Sequence, residues 1–505
     1  MKAEPRSSDV DRGGLRPQLI AVVAVVVLII GLLLRVRVLG SDRGDLLADE
    51  AFTGLLSAEI RDGYLPVMIS AIGYTAPIES YLFVPIMSLF GMSVVGLKMV
   101  SVVLWCATGL ILAIGARCVF GRGPAFVAGG VAWLPMGALL VISFRAYEGY
   151  ASGLAVFALM SVVALRSVAH RATAPRVFDS FVIGLAAGAL MWVHPVFLVV
   201  AVPVGVVVSI VHLRSVRQWW IPAAVGGIVG SSILLAWNLK NGWPSFEQPT
   251  DSAESISARF VGLLTELVPR LFGIRTYGNV WILPGVVGVV ALLIALGMVV
   301  RGVRTLVTID RPVAAVVVAP LVAGLPLMAL LNNASFTDDG RYGIVFVVPI
   351  ALAVGAASRQ HTTTSFTIRS VIVLALWMAT VVLPWSFRGI NYDVTEPTAQ
   401  AKELVTIVES AGFDRLAGYY WAVLPAEYIS QQRIRVAVSG HPSTVLLADT
   451  QRLVESAPPE QLALVFLGEP PEALLRMPRD NYEVVDLNDW RIFLPRDGAT
   501  IGDGQ

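Results

Sequence analysis

Long apolar runs separated by short polar turns set the pattern of this chain. The runs are Leu19–Leu39, Val94–Ala116, Pro124–Ile142, Ala151–Leu165, Ile221–Trp237, Val280–Val300, Val313–Leu331, Tyr342–Ala357 and Val371–Pro384. The stretch Phe181–Leu213 is too long for one membrane crossing and holds His194-Pro195. A proline removes a helical hydrogen bond and clashes with the preceding turn, so we divide the stretch there into two. Each run approaches the length of roughly 20 residues that crosses a bilayer as a helix, giving about eleven spans.

One stretch departs from this pattern. Leu46–Gly91 opens on the acidic pair Asp49-Glu50 and continues with Phe52, Leu55, Leu56 and Ile60 at helical spacing. A polar break, Gly73-Tyr74-Thr75-Ala76-Pro77, precedes the apolar piece Ile78–Phe90, which is too short to span at about 1.5 Å per residue. The pattern predicts two short helices lying at the membrane surface. Basic turns support this. With Leu46–Gly91 on one side, the clusters at 117–122, 166–176, 214–217, 301–311 and 359–369 all share the side of the N-terminus, which the positive-inside rule makes cytoplasmic. Residues 1–18 are then a cytoplasmic N-terminus, and 19–386 a transmembrane domain whose first external loop is 40–93. The basic N-terminus and first apolar run resemble a signal peptide, but Arg35-Val36-Arg37 stands where a cleavage site would, so we read an uncleaved anchor.

From about Ser386 the composition becomes that of a soluble protein. A helix is predicted over Thr398–Ser410, and strands over Leu416–Trp421, Ile434–Val438, Leu462–Phe466, Tyr482–Val485 and Arg491–Leu494. The fold class is therefore a polytopic α-helical membrane protein with a small extracytoplasmic α/β domain over 387–505.

Composition agrees: of 505 residues, 56% are hydrophobic and 14% charged, with mean hydropathy +0.73, against about 25% charged in soluble domains. The net charge of +1 gives no footprint for nucleic acid. Two cysteines, Cys106 and Cys118, are too few for a disulfide framework or a cysteine zinc site. Scarce lysine with abundant arginine, alanine and valine points to a bacterial plasma membrane.

Carboxylates collect in the outward loops: Asp49 and Glu50 in the first, Glu148 in the second, Asp338 and Asp339 near the end of the fifth. Sugar transfer from a lipid phosphate needs such groups, because a base must take the acceptor hydroxyl's proton and cations must stabilise the departing phosphate. Arg341, Arg145 and Lys240 are the nearby cations, although an arginine at a span end also serves as an interfacial anchor. His194 either bonds backbone freed by Pro195 or joins a site within the membrane. Tyr74 and Tyr150 either line a sugar site or sit as interfacial aromatics. No metal site is legible, and a divalent ion held by Asp49 with other carboxylates stays open.

Asp49-Glu50-Ala51-Phe52, Ala58-Glu59-Ile60, Gly73–Leu82 and Leu89-Phe90-Gly91 follow one another at a spacing that resembles the GT-C glycosyltransferases. The resemblance is to the branch of protein O-mannosyltransferases and aminoarabinose transferases. It continues through Phe120-Gly121-Arg122, His194-Pro195, Arg341-Tyr342 and Tyr419-Tyr420-Trp421. It implies a polyprenyl-phosphate-linked sugar donor, Asp49 as general base, Glu50 shaping the site and Glu148 as the second-loop acid. Arg341 is the first choice to contact donor phosphate, then Arg145 and Lys240, with Tyr74, Tyr150, Tyr342 and His194 as further substrate contacts. Relatives often carry a lysine where this chain has Thr75. The acceptor would be a glycan, lipid or protein outside the cell, its entrance shaped by the outer domain, with membrane lipid as a further partner. The rival reading is a transporter or flippase, against which stand the absence of internal symmetry and the placing of the acids in loops instead of spans.

Overall fold

The computed structural model describes residues 17–69, 72–170, 177–246, 255–276, 280–330, 340–359, 366–391, 398–439 and 447–496. Leaving out its shorter helical pieces, its helices are α1 (Pro17–Leu39), α2 (Ala48–Arg61), α3 (Ile78–Phe90), α4 (Val94–Gly115), α5 (Arg122–Trp133), α6 (Tyr150–Ala169) and α7 (Val177–Val193). They continue with α8 (Leu198–Val211), α9 (Ile221–Asn241), α10 (Gly285–Ile309), α11 (Arg311–Leu330), α12 (Val347–Ala357) and α13 (Ile368–Trp377), which runs on through Met378–Val382 and Leu383–Arg388 as one span. The C-terminal part adds α14 (Ala399–Ser410), α15 (Tyr420–Ile429) and α16 (Ala448–Glu455), with strands β1 (Arg415–Gly418), β2 (Arg435–Val438), β3 (Ala463–Leu467), β4 (Tyr482–Leu487) and β5 (Trp490–Pro495).

Among the described residues seven helices are long and apolar enough to cross a membrane, and four apolar helices are shorter. This is a multi-pass membrane protein. The shorter ones have local causes. His194 has extended backbone and Pro195 starts a new helix, so α7 and α8 form two pieces where the proline predicted a break. Pro135 breaks the predicted span Pro124–Ile142 after Trp133, leaving one turn, Leu139–Ile142. Buried backbone must be satisfied inside a membrane. Here the Trp133 carbonyl accepts from the Arg35 guanidinium at 3.2 Å, and the Leu134 carbonyl accepts from the Trp377 indole at 3.3 Å.

Small residues bring α7 and α9 together. A Cβ added at Gly184, Gly188, Gly226 or Gly230 would stand 1.9–2.3 Å from a backbone carbonyl of the facing helix. These two glycine pairs, each four residues apart, let the backbones touch and gain close packing without a hydrophobic driving force.

The C-terminal sheet has the order β2-β1-β3-β5-β4, with β2, β1 and β3 parallel and β5 and β4 antiparallel. The predicted strand Leu416–Trp421 is shorter than expected, because the chain turns at Gly418 (φ +143°) and enters α15 at Tyr420. Burial decides the outcome over β propensity. Ala422, Val423 and Ala426 of α15 share a core with Ala51, Leu55 and Ala58 of α2. Contact is close enough that a Cβ on Gly54 would meet the Tyr428 ring at 2.1 Å. The domain therefore sits on the first loop.

Candidate active site

Asp49 and Glu50 fall in the first turn of α2, where the helix N-terminus favours negative charge. The two carboxylates diverge. Glu50 is fully buried, and its oxygens accept from Lys98 Nζ at 2.7 and 2.8 Å, Arg145 Nη1 at 2.5 Å and the Ala146 amide at 3.2 Å. Burial alone would raise its pKa, but Lys98 and Arg145 outweigh that and hold it below the ordinary value. Arg145 also binds Asp45 Oδ1 at 2.6 Å. Burial opposes its charge, yet Glu50 and Asp45 raise its pKa, so it stays a cation.

Asp49, one turn-step away, is half-exposed and faces a cavity of about 210 Å³. Oδ1 accepts the Tyr420 hydroxyl at 2.7 Å, and Oδ2 accepts Arg341 Nη1 at 3.3 Å. The rest of the wall is largely aromatic: Tyr74, Tyr147, Tyr150, His194 and Tyr342, with Phe52, Ile69 and Ile72 on an apolar side. Tyr150 and His194 pack with ring centroids 4.7 Å apart. Burial raises the phenols, Tyr74 to about 12 and Tyr147 well above its usual value. They remain neutral donors at physiological pH.

Glu148 joins the wall from the loop before α6. Its carboxylate accepts from the Glu79 and Ser80 amides at 3.0 Å each and from the Ser80 hydroxyl. Glu79 in turn accepts from the Gly149 amide at 2.7 Å, the Ser152 amide at 3.0 Å and the Ser152 hydroxyl at 2.8 Å. Gly149 has φ +80° and leaves no room for a Cβ, which would lie 2.5 Å from the Val193 carbonyl. That carbonyl, freed by the break at His194, accepts the Ala76 amide at 3.3 Å. Both loops and the α7–α8 break are thus fastened to one another.

No family model matches the chain, and no curated protein matches it in sequence. Solved structures do. ArnT from Cupriavidus metallidurans bound to undecaprenyl phosphate aligns with TM-score 0.64 at 13% identity, covering 97% of this chain and 100% of that one. Its apo form gives TM-score 0.60 at 14% identity over 94% and 97%. The fold is that of ArnT. An Archaeoglobus fulgidus oligosaccharyltransferase aligns more loosely, with TM-score 0.48 at 12% identity over 88% of this chain and 69% of its own. The ArnT-like fold agrees with the architecture that the first-loop resemblance implied.

Within this ArnT-like frame, the cavity gathers Asp49, Glu148, Tyr74, Tyr150, His194, Arg341 and Tyr342. Glu50 and Arg145 lie behind it in the buried ion cluster, and Arg145 is not among the lining residues. Lys240 is exposed near the end of α9 and lines no part of it. Besides lining the wall, His194 accepts the Val196 amide on Nδ1 at 3.3 Å, the helix-break role the proline suggested. Asp338 and Asp339 lie outside the described residues. Among the described residues no three His, Cys, Asp or Glu side chains are grouped as metal ligands would be. Sequence reading assigned no role to Tyr420, Tyr147, Glu79 or Lys98. Tyr420 stood inside a quoted motif, whereas Lys98 was hidden in an otherwise apolar span. Thr75 faces the cavity with a buried hydroxyl that has no partner among the described residues.

Proposed function

We propose that this protein is a membrane glycosyltransferase that moves a monosaccharide from a polyprenyl-phosphate donor to an extracytoplasmic glycan, lipid or protein acceptor. One observation carries the reading: Asp49, half-exposed at a cavity with Arg341 beside it, presents a base and a cation to the same small volume. The fold shared with an ArnT that binds undecaprenyl phosphate supports a lipid-phosphate donor.

Asp49 accepts the acceptor hydroxyl's proton as that oxygen attacks the anomeric carbon. The bond to the lipid phosphate breaks on the opposite face, its electron pair goes to the phosphate oxygen, and the configuration inverts. Arg341 meets the developing charge on the phosphate. Aromatic walls offer faces to the sugar ring, with tyrosine hydroxyls as neutral donors to its oxygens. Thr75 replaces a lysine common in relatives, so Arg341 carries more of the phosphate contact. The side of the membrane follows from the basic turns.

The test uses purified protein in detergent with radiolabelled polyprenyl-phosphate sugars, wild type beside Asp49→Asn. Sugar release by wild type and its loss in the correctly inserted variant is the expected result. Wild-type turnover by Asp49→Asn would rule out the base assignment.

A further inference from the structure

Among the described residues, Asp49 hydrogen-bonds to the C-terminal domain through one hydroxyl. Tyr420 Oη donates to Oδ1 at 2.7 Å, while Arg341 holds Oδ2. Resting on the transferase reading above, we propose that Tyr420 covers the base: its hydroxyl occupies the place the acceptor hydroxyl takes, keeps water off Oδ1, and yields when acceptor binds.

Three observations support this. First, the donor matches the acceptor in kind, being a neutral O–H directed at a carboxylate oxygen. Second, the phenol gives only a hydrogen bond, because burial and then Asp49's own charge raise its pKa. Release therefore exchanges one hydrogen bond for another and strands no ion. Third, the tyrosine is delivered by rigid structure. The Tyr419 amide bonds the Val465 carbonyl at 2.8 Å, and Tyr428, two turns along α15, packs on Gly54 and donates to the Ser93 carbonyl at 3.1 Å. The helix fixes the backbone and leaves the side-chain rotamer to move.

The cover has a chemical purpose. Water at Oδ1 would give Asp49 a proton as its oxygen bonded to the anomeric carbon, and the lipid phosphate would leave with the bonding pair. The products would be free sugar and lipid phosphate, a wasted turnover. An acceptor that displaces the phenol reaches the same base with its own hydroxyl.

Tyr420→Phe keeps the ring and removes the hydroxyl. With decaprenyl-phosphate mannose, glucose or arabinose and no acceptor, the full-length variant should release free sugar about tenfold faster than wild type, in line with loss of a hydrogen bond to a charged group. Adding Asp49→Asn should abolish that release. Asp49 should also react faster with a water-soluble carbodiimide and glycine amide in Tyr420→Phe, read by peptide mass. A merely structural tyrosine would lower release or leave it unchanged. Release at or below the wild-type rate with unchanged labelling would overturn the proposal. Turnover by neither protein, with faster labelling in Tyr420→Phe, would overturn the transferase reading while upholding the cover.

Discussion

Glu79 and Glu148 cap each other's helices. Glu148, just before α6, accepts the first amides of α3, and Glu79 in α3 accepts the Gly149 and Ser152 amides at the start of α6. Each carboxyl supplies an acceptor to orphan donors of the opposite helix. Burial and, for Glu148, the neighbouring Glu79 charge push both above their ordinary values. The pair therefore keeps a proton that either acid alone in water would lose.

Because the folded form binds that proton more tightly than the unfolded chain, the linked stabilisation is present at low pH and fades as pH rises above about 4.3. Amide exchange at Ser80, Gly149 and Ser152, corrected for intrinsic rates, should show opening energies that fall from about pH 5 upward. Glu79→Ala leaves two amides without acceptors and should cost about 1–3 kcal/mol, seen as a lower melting temperature in detergent. Opening energies independent of pH would refute the shared proton.

The ion cluster behind Asp49 titrates the opposite way. Lys98 and Arg145 hold Glu50 below its ordinary value, so its contribution is full above about pH 4.3 and is lost as the pH falls. Glu50→Gln leaves two buried cations short of their counter-charge and should cost about 3–5 kcal/mol. Thermal unfolding of this variant tests it, and a melting temperature equal to wild type would show the cluster to be dispensable.

Much of this was legible in advance where one local rule dominates. Pro195 broke the Phe181–Leu213 run because a proline cannot continue the hydrogen-bond ladder. The pair Asp49-Glu50 stood out because acids are rare beside apolar runs. What stayed hidden depends on contacts far apart in the chain. Asp49 and Tyr420 are separated by 371 positions, and Glu79 and Glu148 by about 70, so no spacing rule links them. Arg145 and Arg341 read alike as cations at span ends, yet burial against Glu50 sets the first apart from the cavity that the second enters.

Arg341 lies 3.3 Å from Asp49 and is also within 6 Å of the Tyr147 and Tyr342 ring centres. Arg341→Ala should reduce donor turnover about a hundredfold, a loss of about 3 kcal/mol in stabilising the leaving phosphate. Arg341→Lys should recover only part, since a lysine keeps the charge but lacks the planar fork. Initial rates across donor concentrations check this. An Arg341→Ala enzyme with unchanged kcat/KM would remove the arginine from the reaction.

Docking of the C-terminal domain on α2 should weaken as pH rises towards neutrality. Glu427 of α15 is fully buried, and burial, resisted by Arg435, pushes its pKa up to about 7. Arg435 Nη1 reaches Oε1 at 3.4 Å and Glu59 of α2 adds repulsion, while Oε2 is without a hydrogen-bond partner among the described residues. The folded value exceeds the unfolded one, so Glu427's contribution is full below about pH 4.3 and declines as the pH climbs towards 7. Proteolysis within the segment joining the membrane helices to α14 should therefore quicken over that window. Glu427→Gln, which cannot ionise, should flatten the dependence while keeping an acceptor for Arg435. A wild-type proteolysis rate that stays constant across the window would show that the domain's seat does not depend on this proton.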